Sequence, residues 1–292
     1  MNFLEGTVLG LVQGLTEFLP VSSSAHLRIT AALAGWDDPG AAFTAVTQIG
    51  TETAVLIYFR RDIARIVRAW ALSWTRREMR RDTDARIGWL VILGTIPIGL
   101  LGVTLQDAIE GPFRDLRLIA TTLILLGLIL GGADWYSSKG RPRGRHAPPR
   151  PRKTMPDLSV RDGLLYGLAQ SAALIPGVSR SGATISGGLL LGYTREAAAR
   201  YSFLLAMPAV LASGVFELKS IGGDGAEVSW GPTIVATIVA FATGYAAIAW
   251  FLRYISTRSF TPFVLYRVAL GLLLLALLAG GAISADAGAE AD

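Results

Sequence analysis

Stretches of about 17–22 apolar residues recur along this chain of 292 residues, and each is long enough to cross a hydrocarbon layer of roughly 30 Å as a helix. Nothing else narrows the fold as much. Backbone N–H and C=O groups find no water inside a bilayer, so a spanning segment must satisfy them internally, and runs of this length do so as α-helices. Six segments qualify, near residues 43–59, 87–104, 118–135, 196–216, 231–252 and 262–280. With 52% hydrophobic residues and 33 glycines, the composition suits an all-α polytopic membrane protein whose helices approach closely at small residues. Zero cysteines exclude disulfides and thiolate chemistry.

Charge sets the orientation. Residues 60–86 hold nine arginines against four acids, and residues 137–157 hold seven Lys/Arg before the first acid, Asp157. Both read as cytoplasmic loops by the positive-inside rule, and the two spans between them agree in parity. Counting outward puts loop 36–42 (Asp37, Asp38), loop 217–230 (Glu217, Asp224, Glu227) and the acidic tail from Asp286 outside. The formal net charge of +5 therefore reports topology, and no nucleic-acid partner is expected. The N-terminal region reads as part of the membrane domain rather than as a signal peptide, because no Lys or Arg precedes Arg28 and Glu5, Gln13 and Glu17 interrupt its apolar run.

Two further segments, 3–34 and 161–192, are apolar at their ends and broken in the middle by Pro, Ser and Gly. Irregular backbone at membrane depth is tolerated only inside protein or along a cavity, so both read as re-entrant helix pairs. They resemble each other: Gly10-Leu11-Val12-Gln13 matches Gly167-Leu168-Ala169-Gln170, and the Pro20–Ala25 block matches the block from Pro176, with a one-residue slip between the two matches. Each copy is followed by three spans. An odd number makes the halves enter from opposite sides, an inverted repeat in which broken helices meet near the midplane. The expected fold is thus six transmembrane helices plus two re-entrant helix pairs. Residues 1–136 form one half, 137–157 a basic cytoplasmic linker rich in Pro and Arg, and 158–292 the second half.

The polar residues concentrate in those two segments. In Pro176-Gly177-Val178-Ser179-Arg180-Ser181-Gly182-Ala183-Thr184, an arginine sits among hydroxyls and glycines. An intramembrane Arg costs about 2.5–3.5 kcal/mol even on the lenient insertion scale. A guanidinium fork, the hydroxyls of Ser179, Ser181 and Thr184, and backbone exposed at Gly177 and Gly182 together suit a phosphate. A helix starting directly afterwards, over 183–192, would add its N-terminal N–H groups. In the first segment Gln13 and Glu17, four apart, share a helix face. Glu17 suits metal ligation or proton transfer. Ser22, Ser23 and Ser24 precede His26, an imidazole suited to acid–base or nucleophilic work. The spacing leaves Ser23, His26 and water open as the attacking group. Glu52, in Gln48-Ile49-Gly50-Thr51-Glu52-Thr53, is a third buried-type acid, placed either on the same cavity or in a helix–helix contact. His146 falls in the basic linker and is set aside.

These motifs resemble the undecaprenyl-diphosphate phosphatase family of the bacitracin-resistance type. Gln13-Gly14-Leu15-Thr16-Glu17-Phe18-Leu19-Pro20-Val21-Ser22-Ser23-Ser24-Ala25-His26 corresponds to its first motif, Pro176–Thr184 with Ile185-Ser186-Gly187-Gly188 to its second, and Ser202-Phe203-Leu204-Leu205-Ala206-Met207-Pro208 agrees as well. Position 13 is Gln where many members have Glu, which leaves Glu17 as the metal-linked carboxylate. The resemblance implies hydrolysis of the lipid carrier's diphosphate to monophosphate and inorganic phosphate, with a divalent cation, Mg²⁺ or Ca²⁺. Glu17 would bind the metal or orient water, and Ser23 and His26 would supply nucleophile and base. Ser179, Arg180, Ser181 and Thr184 would hold the phosphates, with Gln13, Ser22, Ser24 and Gly182 lining the substrate site. It further implies a bacterial plasma-membrane enzyme in contact with membrane lipids, recycling the carrier for peptidoglycan synthesis through a site open to the outer face. A homodimer is compatible with this reading. The rival reading is a secondary transporter or flippase in which Arg180 binds the anion and Glu17 and His26 carry protons.

Overall fold

The computed structural model describes residues 1–110, 112–139, 151–220 and 229–285. Most of the linker 137–157 with His146, most of loop 217–230 and the tail from Asp286 lie outside the described residues. Among the described residues the chain is helical without strands, apart from one isolated bridge between Lys153 and Tyr193. In chain order the helices are α1 (Phe3–Glu17), α2 (Ser23–Ala34), α3 (Gly40–Tyr58), α4 (Arg60–Thr75), α5 (Thr83–Thr104), α6 (Gln106–Glu110), α7 (Leu116–Ser138), α8 (Val160–Ser171), α9 (Arg180–Leu190), α10 (Arg195–Ser220), α11 (Trp230–Ile255) and α12 (Thr261–Ala279).

Among the described residues, five helical stretches are long and apolar enough to cross a membrane: α5, α7, Arg195–Gly214 of α10, α11 and α12. The sixth expected span, α3, forms as a helix but is not among them, because Gln48, Glu52 and four threonines dilute its apolar character. The arginine-rich stretch expected as a loop is also mostly helix. In α4 the buried positions Ile66, Ala69 and Ser73 recur at helical spacing, while Arg60, Arg61, Arg65 and Arg68 stay exposed. A one-sided helix of this kind buries its narrow stripe, here against α5, and leaves its charges in water.

The broken segments form helix pairs, as their Pro/Ser/Gly centres predict: α1 with α2, and α8 with α9. Glycines decide where they dock. A Cβ on Gly6 would lie 2.6 Å from the Pro232 carbonyl oxygen, one on Gly10 2.7 Å from Ala236 Cα, and one on Gly14 2.7 Å from the Ala240 oxygen. The ridge Gly6–Gly10–Gly14 thus sets the backbone of α1 directly on α11. Gly167 of α8 does the same against Gly94 of α5, where a Cβ would fall 2.8 Å from Gly94 Cα. The main apolar core gathers around Phe59, Phe203, Phe251 and Phe260, beside the edge-to-face phenols of Tyr166, Tyr193 and Tyr201.

An ionic knot closes the turn from α2 to α3. Asp38 accepts a two-pronged contact from Arg114 and a backbone N–H from Gly40 at 3.1 Å, with Arg28 at 3.3 Å. Burial opposes ionisation of this carboxyl, but Arg114, Gly40 and Arg28 outweigh it and hold the acid below its ordinary range.

Two outcomes follow from this packing. Gly10→Val should lower the melting temperature of the detergent-purified protein by several degrees, since overpacking against a backbone costs about 1–3 kcal/mol or more; Gly132→Ala, where nothing lies within 4 Å, should leave it in place. Because the folded-state acidity of Asp38 is enhanced, its stabilisation is full above the unfolded value near 3.8 and is lost as pH falls through the lower folded value. Thermal melts between pH 7 and pH 3 should therefore show a drop below about pH 4 that is smaller in Asp38→Asn, whose melting point starts lower.

Candidate active site

The helices α2 and α9 begin alike. Ser22 caps α2 and Ser179 caps α9, each with a positive φ (75° and 69°) that is uncommon away from glycine. Each side-chain oxygen accepts the N–H three residues on, from Ala25 at 3.5 Å and from Gly182 at 3.2 Å. Ser22 and Ser179 are 157 positions apart, as are Gln13 and Gln170, and Gly10 and Gly167. Matching the caps therefore removes the one-residue slip between the sequence blocks. It also pairs Ser23 with Arg180, each the first residue of its helix. The second helix thus starts at Arg180 itself, three residues before the expected 183.

The two turns are tied to each other. Gly177 donates its N–H to Ser22 Oγ (3.2 Å), and Ser181 Oγ donates to the Leu19 carbonyl (3.1 Å). Beneath them lies Arg267 of α12, fully buried, with its guanidinium turned onto backbone oxygens. Nη1 donates to Pro20 (2.9 Å), Nη2 to Gly177 (2.7 Å) and Val178 (3.2 Å), and Nε to Leu123 (3.1 Å). One cation satisfies carbonyls of both turns, where N–H partners are scarce and an unmet buried carbonyl is costly. Gly177 itself has φ 88°, and a Cβ there would meet the Ile119 oxygen at 2.7 Å, so only glycine fits.

Above this staple lies a cavity of about 460 Å³. Glu17, Ser22, Ser23, Ser24, Ser179 and Arg180 line its polar end, and Ile98, Val103, Leu174 and Val210 are among its apolar walls. The first residues of α2 and α9 thus face one space, and the positive ends of two helix dipoles converge there. Glu17 is the hub. Its Oε1 takes the Arg180 guanidinium in a short ion pair, and its Oε2 accepts Ser23 Oγ–H at 2.6 Å and Gln13 Nε2–H at 2.8 Å. Gln13 is wholly buried, and its Oε1 has no partner among the described residues.

The other residues singled out in the sequence sit behind this surface. Ser181 holds the Leu19 carbonyl, and Thr184 bonds Ser202 and the Arg180 carbonyl (2.7 Å). Gly182 packs where a Cβ would come within 3.1 Å of Arg267 Nη1. His26 does not line the cavity. It borders a separate, largely apolar groove of about 500 Å³ with Leu15, Leu19, Trp250, Phe263 and Tyr266. Nδ1 lies 2.7 Å from the Ser22 carbonyl, which can only accept, so Nδ1 carries the proton. Nε2 then accepts from Tyr266 Oη at 2.7 Å, and the two rings stack with centroids 5.5 Å apart. One nitrogen thus holds the Ser22 turn and the other holds Tyr266 of α12. Arg267 escaped the sequence reading, although it is the single charge in the otherwise apolar α12, the same signal that made Arg180 conspicuous.

A bundle of long apolar helices with a cavity whose polar end is lined by hydroxyls, a carboxylate and a guanidinium belongs to an integral membrane protein. The family model described as "Bacitracin resistance protein BacA" matches residues 6–273, and the chain belongs to that family. It is 93% identical over 297 residues to "Undecaprenyl-diphosphatase 3" of Frankia alni, with all of both chains covered. It is 66% identical to "Undecaprenyl-diphosphatase 2" of Streptomyces avermitilis, again over all of both chains. Against "Undecaprenyl-diphosphatase" of Thermobifida fusca it is 59% identical, over 99% of this chain and 95% of the relative.

Removing the staple tests its place in the site. Arg267→Met should leave several buried carbonyls unmet, at about 1–3 kcal/mol each, so thermal unfolding should show a large loss of stability. Arg267→Lys keeps the charge but not the planar fork, and should recover only part of it.

Proposed function

We propose that this chain hydrolyses undecaprenyl diphosphate to undecaprenyl phosphate and inorganic phosphate, returning the lipid carrier to peptidoglycan synthesis. The full-length relatives that carry the name support this. The observation that carries it is local: Ser23 Oγ–H points at Glu17 Oε2 from 2.6 Å, inside the cavity whose wall is Arg180.

The chemistry follows from that contact. Glu17 takes the Ser23 proton as Oγ attacks the terminal phosphorus. The bridging P–O bond breaks and the prenyl monophosphate leaves. Water then cleaves the phosphoserine, releasing inorganic phosphate and restoring the hydroxyl. Arg180 and the first turns of α2 and α9 offset the phosphate charge at fixed positions, the main requirement of phosphoryl transfer. The apolar wall from Ile98 to Val210 takes the first isoprene units of the lipid. His26 acts through Ser22, fixing the turn that aims Ser23.

A divalent cation, Mg²⁺ or Ca²⁺, belongs to this reading. Hard cations prefer oxygen ligands, and the unpartnered, fully buried Gln13 Oε1 beside the Glu17 carboxylate supplies such donors. When bound, the cation would add further neutralisation of phosphate charge.

We also read the chain as an inverted repeat with six spans, counting α3, the arginine-rich segments inside and the cavity open to the outer face. The matching caps at Ser22 and Ser179 and the constant 157-residue offset support the repeat. So does the exchange of partners between halves, with α1 on α11 and α8 on α5.

Phosphate release from undecaprenyl diphosphate by the purified protein tests the proposal. Wild type should turn over and stop when a chelator is added, and Ser23→Ala and Glu17→Gln should each fall by about a hundredfold or more. A wild-type protein that binds the lipid but releases no phosphate with metal present would favour the transporter reading instead.

A further inference from the structure

Arg180 has a second carboxylate behind it. Besides the main cavity, its side chain borders a small space of about 10 Å³, lined also by Glu17, Glu52, Ser181 and Ser202, room for about one water. Glu52 reaches it from α3, one helical turn past Gln48, which lines the main cavity. Glu52 is 2% exposed. Its Oε1 lies 3.8 Å from Arg180 Nη2, the same nitrogen that Glu17 engages. Its Oε2 has no hydrogen-bond partner among the described residues.

That arrangement is poor as a structural ion pair. A buried carboxylate kept for stability collects donors on both oxygens, since the desolvation it suffers is otherwise uncompensated. Glu17, a few ångströms away, has three donors. Glu52 has one distant guanidinium and an orphan oxygen. What it does have is position, because Arg180 separates it from the cavity where the diphosphate would lie.

We propose that Glu52 is a positioning residue for the hydrolysis: the rear counter-ion that keeps the Arg180 guanidinium at the cavity wall once Glu17 is engaged with Ser23. This rests on the diphosphatase reading above. Arg180 is held in the resting site chiefly by Glu17. When Glu17 accepts the Ser23 proton its attraction for the guanidinium falls, and the incoming phosphates pull the cation forward. The Glu52 carboxyl on the far side, 3.8 Å from Nη2, opposes both, so that the guanidinium fork stays where it can bind phosphate oxygens.

Stability and activity should then move in opposite directions. Phosphate release from undecaprenyl diphosphate and thermal melts would be measured on detergent-purified wild type, Glu52→Gln and Glu52→Asp. Glu52→Gln should raise KM about tenfold with kcat changed less, the pattern of weakened substrate positioning. Its melting temperature should hold or rise, because an under-satisfied buried charge has been removed. Glu52→Asp should recover part of the KM. Wild-type kinetics in Glu52→Gln overturns the proposal. A melting temperature that falls with activity makes Glu52 a structural contact, and a loss confined to kcat makes it a participant in proton transfer; either result also overturns it. If wild type itself releases no phosphate, the diphosphatase reading fails rather than this assignment.

Discussion

The contact on which the rest of the site depends is the one between Arg267 and the backbone. Two chain reversals, around Pro20 and around Gly177, meet inside the protein, and each leaves carbonyls that no helix ladder can reach. A single guanidinium donates to Pro20, Gly177, Val178 and Leu123. Arginine suits this because its planar fork carries five donors in fixed directions. The staple holds the two turns together, and the turns hold everything else. Ser22 and Ser179 can keep their unusual backbone angles because the surrounding contacts over-determine them. With those caps in place, the first helical residues, Ser23 and Arg180, are brought to one cavity.

Around that scaffold the polar groups divide into two layers. Glu17, Ser23 and Arg180 form a cluster in which every charge is shared and every contact is short. Ser181, Thr184, Gly182 and His26 sit one step back and act through backbone: they bond or pack against Leu19, Arg180, Arg267 and Ser22. His26 is the clearest case. It stands three residues after Ser23 on the same helix, close to one turn away. It turns instead to Tyr266, 240 residues on, and to the carbonyl of Ser22.

Much of this was legible in the chain itself. Apolar runs and arginine clusters indicated a helical membrane protein, and the Pro/Ser/Gly centres of segments 3–34 and 161–192 indicated broken helices. Arg180 and Glu17 stand out as charges in apolar sequence, but nothing local pairs two residues 163 positions apart, and their ion pair is a product of the packing. The arginine-rich stretch read as a loop because charge density masked the three-and-four spacing of Ile66, Ala69 and Ser73. Arg267 was overlooked because it has no polar neighbours in sequence: its partners are carbonyls, which every residue carries.

What the sequence determined by itself, then, was the solvent and the inventory: which segments prefer lipid, which break, and which costly polar groups must be offset somewhere. Those follow from composition and local periodicity, since transfer free energies belong to residues. Only the tertiary structure decided which polar groups face one another. It set Ser23 rather than His26 against Glu17, Arg267 beneath both turns and Glu52 behind Arg180. Those outcomes depend on how α1, α3, α9 and α12 pack, and a difference of a few ångströms between helices far apart in the chain separates a group on the cavity wall from one behind it.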